Sequence, residues 1–531
     1  MIAKLFSSAL YGVDAFRITI EVSLNGKGIG ILLTGLPDDA IKESLARIDS
    51  AIQCCGYHMP RTKIVINLIP ADIRKMGTAY DLPIALGILI ASGQVHDFGK
   101  LKDYTVVGEM GLDGSLYPVR GSLSMTIHAM KDQFKGILVP KANASESSMV
   151  DGIDVYGVSH LNEVIEFLKP DSALQPTCPH KFRIAKEPAD FDFKDVKGQY
   201  NVKRAMEIAA AGGHNLLMVG PPGIGKTMLA KRLPGILPPM NKQEALETSQ
   251  IYSLGLHKEP RSALDTRRPF RSPHHTISNV GLVGGGSTPM PGEISLAHNG
   301  VLFLDELPEF NRAVIEVLRQ PMEDGKVLIA RARMSLEFPA RFMLLASMNA
   351  CPCGYFGHPN KKCTCSQKSI GWYRRKISGP LLDRIDLQVD ADPTPFNEFT
   401  DIDQHSESSA IIRQRVISAR ANQLKRFHCD SNIYCNARIS DHLISAYCNT
   451  DSHAMKFLLK NLDRYDLSTR AYSRILKVAR TIADLGDSDK IEINHIAEAI
   501  HFRSLDKSMG MVGTVKTKPT NKILSHANFS I

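Results

Sequence analysis

The sequence predicts a multidomain α/β protein, and three observations support this prediction. Strand-like and helical segments alternate between residues 17 and 140, and a second alternating region runs from Gln199 to about Asp392. Residues 171–198 between them are rich in proline and charge, which is typical of a linker. Helical segments then fill roughly residues 405–505. At 531 residues the chain exceeds the size of a single domain.

Composition and charge narrow the class of protein only a little. The chain is 43% hydrophobic and 22% charged, as in ordinary globular proteins, and its net charge of +9 leans mildly toward a polyanionic partner. The N-terminus runs into the alternating strand "RITIEVSL" and is not a signal peptide, and "LPIALGILIASG" is too short to span a bilayer. The 10 cysteines lack the spacing of a disulfide framework. We therefore expect a cytoplasmic protein without membrane contact.

Five segments of the N-terminal region have the pattern of strands, namely "RITIEVSL", "GIGILLTGL", "TKIVINLIP", "YTVVGEM" and "KGILVP". Two segments have the pattern of helices, "DAIKESLARIDSAIQCCG" and "YDLPIALGILIASG". The predicted boundaries are 1–170 for this N-terminal domain, 171–198 for the linker, 199–395 for the second α/β core, 396–508 for a helical domain and 509–531 for a flexible tail.

A phosphate-binding loop is the most specific signal in the chain. The apolar strand "HNLLMV" leads into "GPPGIGKT", and a helix follows. Glycines let backbone N–H groups converge on phosphates, and the helix N-terminus adds its positive end. We expect Lys226 on the β- and γ-phosphates of ATP and Thr227 on Mg²⁺. The predicted nucleotide-binding residues are Gly220, Pro221, Pro222, Gly223, Gly225, Lys226, Thr227 and Asp305.

Two further apolar strands end in polar residues that suit the same site. Val301–Leu304 is followed by Asp305, which we expect to hold Mg²⁺, and by Glu306, which we expect to orient the attacking water. The segment "FMLLASMN" ends in Asn349, whose amide can polarise that water. A surface turn is the alternative for both strand ends. We favour the catalytic interpretation because of the phosphate-binding loop that precedes them.

Together these motifs resemble those of the AAA+ ATPases. The resemblance implies that Asn349 is the sensor 1 residue. "ISGPLLDRIDL" resembles the segment with an arginine finger, which implies that Arg384 contacts the γ-phosphate in a neighbouring subunit. "LSTRAYSRILKVAR" resembles sensor 2, with Arg470 as the matching residue. The alternatives are a helix salt bridge from Arg384 to Asp383 or Asp386, and a solvated helix face for Arg470.

Two insertions narrow the resemblance to one AAA+ branch. A long Gly-rich segment that begins "RPFRSPHH" precedes the second strand of the site. Later, we predict two strands, 326–332 and 340–348, joined by a hairpin with Arg331 and Arg333 near its tip. This order resembles the branch with a helix-2 insert and a pre-sensor 1 hairpin, which includes magnesium chelatase ATPase subunits, MCM helicases and MoxR proteins. In the helicases such hairpins touch DNA, whereas a solvated hairpin edge is the alternative here.

The N-terminal region resembles the proteolytic domain of Lon proteases through "DLPIALGILIASG", "VVGEMGLDGSLYPVRG" and "GILVPKAN". Lon proteases need a nucleophilic serine and a lysine base. Here the serine position holds Ala79, and the lysine position falls near Leu123. We therefore expect a Lon-like fold without peptidase activity.

The order of the Lon-like domain, the chelatase-like AAA+ core and the helical lid domain resembles the ComM/YifB family of magnesium-chelatase-like proteins. Its motifs match Ser272–His275, Gly292–Glu306 and Cys351–Tyr355, whereas Ala350 departs from the proline that relatives often have. The resemblance implies a homo-hexameric ATPase and helicase on single-stranded and branched DNA. It implies branch migration during homologous recombination in natural transformation, with recombinase or loading partners. A metal-insertion ATPase and a MoxR-like chaperone that remodels proteins remain alternatives.

Four cysteines are concentrated in "ACPCGYFGHPNKKCTC", namely Cys351, Cys353, Cys363 and Cys365. Four thiolates suit structural Zn²⁺ in tetrahedral geometry, although Cys-x-Cys is a tighter spacing than usual, and inert or redox cysteines are the alternative. Basic and aromatic residues interleave around them, as on surfaces that bind single strands, whereas a solvated basic loop is the other interpretation. The predicted DNA-binding residues are Arg331, Arg333, Lys361, Lys362, Arg374 and Arg375.

Overall fold

The structure is a computed structural model that describes residues 2–25, 28–178, 191–255, 265–286, 289–331, 334–392, 406–428, 433–465 and 468–503. The chain divides into two compact units. The first unit consists of Met1–Pro188, Pro239–Phe303 and Phe310–Phe342, and the second of Ala189–Pro238, Leu304–Glu309 and Met343–Ile531. Part of the predicted linker and the whole predicted tail lie outside the described residues.

A seven-stranded sheet organises the N-terminal part of the first unit. Its strands lie in the order Gly30–Thr34, Lys63–Ile69, Asp14–Asn25, Ile2–Tyr11, Tyr104–Val106, Gly136–Pro140 and Asp154–Val158. The two longest strands form an antiparallel hairpin, in which Ile2 lies opposite Ser23 and Tyr11 lies opposite Asp14. The last three strands of this order are parallel to their neighbours. A separate small antiparallel pair joins Glu109–Met110 to Leu116–Tyr117.

Five helices accompany this sheet: Asp39–Cys54, Asp81–Ala91, Ser122–Lys131, Lys141–Ser147 and Leu161–Leu168. Every residue of Asp81–Ala91 is buried, because this helix has almost no polar face. Gly87 allows the close approach of the helix to the sheet, since a Cβ there would lie 2.6 Å from the Val22 side chain. All seven predicted segments of this region are present, whereas the strands Ile2–Tyr11 and Asp154–Val158 were not predicted.

The rest of the first unit consists of short elements. Its helices are Lys242–Ser253, Asn279–Val283, Glu293–Leu296, Arg312–Glu316 and Arg319–Asp324. Its short strands are Phe270–Arg271, which pairs in parallel with Val301–Leu304, and Gly284–Gly285, which pairs with Met290–Pro291. The last residue of Val301–Leu304 belongs to the second unit.

The predicted hairpin exists, but its second strand was predicted wrongly. Lys326–Arg331 pairs with Met334–Pro339, and Met343–Met348 is a separate strand outside this hairpin. Pro339, opposite Lys326, is the last residue of the pairing and has no N–H to donate, and the following Ala340 N–H donates to the Gly325 carbonyl. The backbone of Arg331 ends the first strand opposite Met334. Arg333 lies outside the described residues.

Three parallel strands form the centre of the second unit. Leu216–Val219 lies between Met343–Met348 and Leu387–Asp390, with Val219 opposite Met348 on one side and Asp390 on the other. The carboxyl ends of all three strands therefore meet at one edge, which is where parallel sheets bind ligands. Every residue of Leu216–Val219 and Met343–Met348 is buried.

Helices complete the second unit: Tyr200–Gly212, Lys226–Ala230, Gln367–Arg374, Gly379–Leu382, Ser409–Arg426, Ile444–Tyr447, Ser452–Tyr465, Thr469–Leu485 and Ile493–His501. Single 3₁₀ turns occur at Phe193–Asp195, Leu233–Ile236, Leu307–Glu309, Asn436–Arg438 and Asp441–Leu443, and one more, Leu101–Asp103, lies in the first unit. The predicted mixed α/β fold with a helical C-terminal region is confirmed. Among the described residues, none of the helices has the length and apolar character needed to cross a bilayer.

A buried polar network connects the C-terminal helices to the parallel sheet within the second unit. The Asp386 carboxylate accepts the Asn215 N–H at 2.9 Å and forms an ion pair with the Arg474 guanidinium. The His214 ring lies 3.6 Å from Asp386 on its Nδ1 side and 2.7 Å from the Thr481 hydroxyl on its Nε2 side. Helix Thr469–Leu485 is thus attached to the sheet through charged and polar groups.

Candidate nucleotide-binding site

The phosphate-binding loop follows Val219, and its backbone explains its glycines. Gly223 and Gly225 have φ of +83° and +88°, in the left-handed region that residues other than glycine seldom adopt. A Cβ on Gly220 would lie 2.4 Å from the Ala391 carbonyl oxygen, so a side chain does not fit there. Helix Lys226–Ala230 begins directly after Gly225. The loop therefore has the sharp turns that place backbone N–H groups around a phosphate.

Lys226 is buried in this loop and held by three neutral oxygens. Its ammonium donates to the carbonyls of Gly220 and Pro221 at 2.7 and 2.9 Å, and to the Asn349 side-chain oxygen at 3.0 Å. Burial lowers the pKa of Lys226, while the carboxylates of Asp305 and Glu306 favour its charged form. An ammonium held only by neutral acceptors gains a stronger, charged acceptor when a phosphate enters the loop.

Thr227 and Asp305 lie beside each other at the mouth of the loop. The Thr227 hydroxyl donates to Asp305 Oδ2 at 2.6 Å, and Thr227 is exposed to solvent. A hydroxyl and a carboxylate in this position are oxygen ligands of the kind that Mg²⁺ prefers, together with phosphate oxygens and water. The residues present therefore fit a magnesium ion bound with a nucleotide.

Glu306 follows Asp305 in an unusual backbone conformation. Its φ is +53°, in the left-handed region that residues other than glycine seldom occupy. Its N–H donates to the Ser347 hydroxyl at 3.1 Å and approaches Asp305 Oδ1 at 3.2 Å. The Glu306 side chain is exposed, so its carboxylate is accessible to water.

Arg384 and Arg470 occupy different surroundings. Arg384 is 7% exposed, and its guanidinium donates to the Pro380 carbonyl at 2.6 Å. To reach a neighbouring subunit, this side chain would have to leave that position. Arg470 is exposed in the first turn of Thr469–Leu485, and Arg474, one turn later, is the arginine that pairs with Asp386.

The four predicted zinc ligands converge on one point. Their sulfur atoms all lie within 4.8 Å of one another. The sulfur of Cys353 lies 3.3 Å from that of Cys351 and 3.6 Å from that of Cys363, and the sulfur atoms of Cys351 and Cys363 are 3.7 Å apart. Tetrahedral Zn²⁺ with bonds of about 2.3 Å requires separations of about 3.8 Å between sulfur atoms. The Tyr355 N–H, followed by the Thr364 N–H, lowers the pKa of the Cys353 thiol to about 5. Although the Cys365 N–H lowers the pKa of the Cys363 thiol, burial and the neighbouring sulfur atoms outweigh it, so this pKa is raised. This donor set fits zinc.

The cysteine cluster, residues 351–365, packs against the phosphate-binding loop. Gly354 has φ of +84°, and a Cβ there would lie 2.5 Å from the Pro222 ring. Arg374 donates to the Ala350 carbonyl at 3.4 Å, and buried Tyr373 is hydrogen bonded to the Asn349 backbone. Burial raises the pKa of Tyr373 to about 12. The cluster is therefore attached to both Asn349 and the loop.

Two of the basic residues around the cluster lie against aromatic rings, and two more are exposed to solvent. Lys361 lies 4.9 Å from the Tyr355 ring centre, and Arg374 lies 5.5 Å from that of Phe356. Lys362 and Arg375 are exposed, as is Trp372, with 78% of its surface accessible. Trp372, the one tryptophan of the sequence, is thus more exposed than Phe356 beside the cluster.

Comparisons with known proteins agree with the order of these elements. Three family models match the chain: magnesium chelatase subunit ChlI at residues 192–399, subunit ChlI of Mg-chelatase at 20–143, and the subunit ChlI C-terminal model at 406–503. Uncharacterized protein YifB of Salmonella typhimurium is 42% identical over 506 residues, 95% of this chain and 98% of that protein. Competence protein ComM of Haemophilus influenzae is 42% identical over 511 residues, again 95% of this chain and 98% of that protein. The chain belongs to the ComM/YifB family.

This membership confirms the family predicted from the motifs. This ComM/YifB-family protein is also similar to Lon protease 2 of Bacillus subtilis, with 30% identity over 155 residues that make up 27% of each chain. Ala79 lines a cavity of about 780 Å³ in the first unit, in which the Thr78 hydroxyl donates to Glu109 at 2.5 Å. Leu123 is fully buried in helix Ser122–Lys131. Neither serine nor lysine is among the described residues that line this cavity.

Sequence reasoning missed two polar residues of this ComM/YifB-family site. Ser347 contacts both Asp305 and Glu306, and Arg474 pairs with Asp386. A signal for Ser347 was available, since residues two apart on a strand share a face and Ser347 precedes Asn349 by two. No comparable signal distinguishes Arg474 from Arg470 on the same helix.

Proposed function

We propose that this ComM/YifB-family protein is an ATPase that drives a DNA helicase reaction. The observation that carries the proposal is the convergence of Lys226, Thr227, Asp305 and Asn349 at the carboxyl ends of parallel strands. Lys226 supplies a cation for the phosphates, Thr227 and Asp305 supply oxygen ligands for Mg²⁺, and Asn349 supplies an amide. Enzymes that transfer phosphoryl groups use groups of these kinds.

In the proposed reaction, Lys226 exchanges its carbonyl partners for the β- and γ-phosphate oxygens of ATP. Thr227 and Asp305 hold Mg²⁺, which when bound supplies positive charge to the same oxygens. Glu306 orients the attacking water, and the Asn349 amide fixes Lys226 and polarises that water. Positioning and charge stabilisation therefore account for the catalysis.

The proposal assigns two arginines to later stages of the cycle. Arg384 completes the site from a neighbouring subunit of a homo-hexamer, after a rotation out of its buried position, and Arg470 acts from the helical domain. A positive charge supplied by a second subunit makes hydrolysis depend on assembly.

DNA is the proposed polyanionic partner, single-stranded or branched. The support is the exposed Lys362, Arg375 and Trp372 beside the cysteine cluster, since cations and aromatic rings together bind single strands. A relative that is 42% identical is named a competence protein, which favours a role in recombination, as branch migration in natural transformation. Metal insertion is less favoured, because the sequence lacks the Asp-x-Ser-x-Ser motif of a chelatase partner domain.

We predict that single-stranded and branched DNA increase the rate of ATP hydrolysis several-fold, and that ATP drives displacement of a labelled strand. DNA contacts made by cations at subunit surfaces should make this stimulation decrease with rising salt. Glu306→Gln, which keeps the nucleotide contacts and removes the water-orienting carboxylate, is the inactive control. Absence of both stimulation and strand displacement would refute the helicase proposal and favour a protein-remodelling or metal-insertion ATPase.

We also propose that the cysteine cluster holds one structural Zn²⁺. The purified protein is predicted to contain about one zinc ion per subunit, because four thiolates complete a closed tetrahedral site. Cys363→Ser should lose this zinc, whereas Cys54→Ser, at an exposed cysteine of the first unit, should retain it. The measurement is zinc content by elemental analysis alongside thiol titration. A wild-type protein without zinc and with all cluster thiols titratable would contradict the prediction.

A further inference from the structure

Ser347 is a buried hydroxyl beside the nucleotide site. It lies near the end of strand Met343–Met348 and has no exposed surface. The other residues of this strand are apolar or alanine, so a hydroxyl there must be satisfied by neighbouring polar groups. Those groups are the two carboxylate residues that follow Leu304.

The Ser347 hydroxyl contacts Asp305 and Glu306 at the same time. It donates to Asp305 Oδ1 and accepts the Glu306 N–H at 3.1 Å. The second oxygen of Asp305 accepts the Thr227 hydroxyl at 2.6 Å. Both oxygens of the Asp305 carboxylate are therefore held, one by Thr227 and the other by Ser347, which fixes the plane of the carboxylate.

The same hydroxyl controls the backbone of Glu306. Glu306 has φ of +53°, a conformation that persists only where its surroundings hold it. Its N–H points at Ser347, so this bond favours the left-handed conformation and thereby sets the direction of the Glu306 side chain. Only a group that both donates and accepts at one atom makes both contacts, and among buried side chains of this size that group is a hydroxyl.

We propose that Ser347 is a positioning residue for ATP hydrolysis. It orients the magnesium-binding carboxylate of Asp305 and the water-orienting carboxylate of Glu306 together, without touching the substrate. This inference rests on the proposed ATPase function. Loss of the hydroxyl should therefore reduce turnover much more than nucleotide binding, because Lys226 and the loop N–H groups are unaffected.

The test compares three variants that separate the hydroxyl from side-chain volume. Ser347→Ala removes the hydroxyl, whereas Ser347→Thr and Ser347→Val add the same volume and differ only in that group. We expect kcat to fall about 10-fold or more in the Ala and Val variants, with the Kd for ATP within about 3-fold of the wild type. We expect Ser347→Thr to retain most activity, and the Ala and Val variants to need more Mg²⁺ for half-maximal turnover.

The outcomes are distinguishable. Equal turnover by the Thr and Val variants, whether high or low, would overturn the inference, because the hydroxyl would then have no role of its own. An equal loss of ATP affinity and turnover would also overturn it. Thermal unfolding of each variant identifies a loss of fold, and the Thr–Val comparison then decides the matter. If the wild type itself does not hydrolyse ATP, the proposed function fails, and this assay shows it without any variant.

Discussion

Replacement of Lys226 by alanine is expected to reduce ATP affinity by about 100-fold or more and to abolish hydrolysis. Truncation of a buried charged partner typically costs about 2–5 kcal/mol in binding, and this ammonium is the buried cation at the phosphate-binding loop. The measurement is the Kd of a fluorescent ATP analogue, together with the rate of phosphate release. Both quantities are to be compared with those of the wild-type protein.

Lys231 offers a matched control for this prediction. It lies at the end of the same short helix, Lys226–Ala230, but is exposed to solvent. Lys231→Ala changes the net charge by the same amount, so it should leave ATP binding nearly unchanged. Equal affinities of the Lys226→Ala and wild-type proteins would contradict the site itself and remove the basis of the ATPase proposal.

The predicted parts of the site are those that depend on local chemistry. A turn that wraps around a phosphate needs positive φ at fixed positions. Glycine occupies two such positions, Gly223 and Gly225, so the turn could be predicted from the sequence. Asp305 and Asn349 were predicted because each directly follows an apolar strand, and parallel strands bring such ends together. The structure places both beside Lys226 and Thr227.

Other features depend on contacts that are distant in sequence. Ser347 sits within an apolar run, and its spacing of two residues from Asn349 is the one local signal that it faces the site. Arg470 and Arg474 are four residues apart on one helix, and the rotation of that helix decides which of them reaches Asp386. The strand Ile2–Tyr11 was missed because it lacks strict alternation, and its pairing with Asp14–Asn25 stabilises it.

The hairpin error has a different physical origin. The predicted partner of strand 326–332 was segment 340–348, because it contains the more strongly apolar run. The segment that pairs is Met334–Pro339, in which Leu336 and Phe338 alternate with polar residues. A buried strand that is apolar at all but one position belongs in a parallel sheet covered on both faces, which is where Met343–Met348 lies.

Asp386→Ala is expected to lower the free energy of unfolding by about 3–5 kcal/mol at neutral pH. Removal of this carboxylate leaves the Arg474 guanidinium without its closest anion and the Asn215 N–H without its acceptor. Uncompensated buried charge is costly, whereas the ion pair itself need not be strongly stabilising. Urea unfolding is the measurement. Asp383→Ala, at a half-buried carboxylate three residues earlier, is the control and should have a small effect.

The pH dependence of unfolding tests the same network independently. Burial by itself raises the pKa of Asp386, but the Arg474 guanidinium and then the His214 ring outweigh it, so the pKa lies below the usual value near 4. A carboxyl group whose pKa is depressed by folding stabilises the protein above that usual value, and this contribution is lost as the pH falls through the folded-state pKa. The difference in unfolding free energy between wild type and Asp386→Ala should therefore be constant from neutral pH to about 5 and shrink at more acidic pH.

A double substitution tests whether the instability of Asp386→Ala comes from the charge that it leaves unpaired. Asp386→Leu combined with Arg474→Met replaces both charges by apolar side chains, so no charge remains unpaired, and the loss of stability should be smaller than for Asp386→Ala alone. If the double variant were as unstable as the single one, the remaining polar groups, Asn215 and His214, would account for the effect. If Asp386→Ala were as stable as the wild type, the attachment of helix Thr469–Leu485 to the sheet would depend on apolar contacts alone.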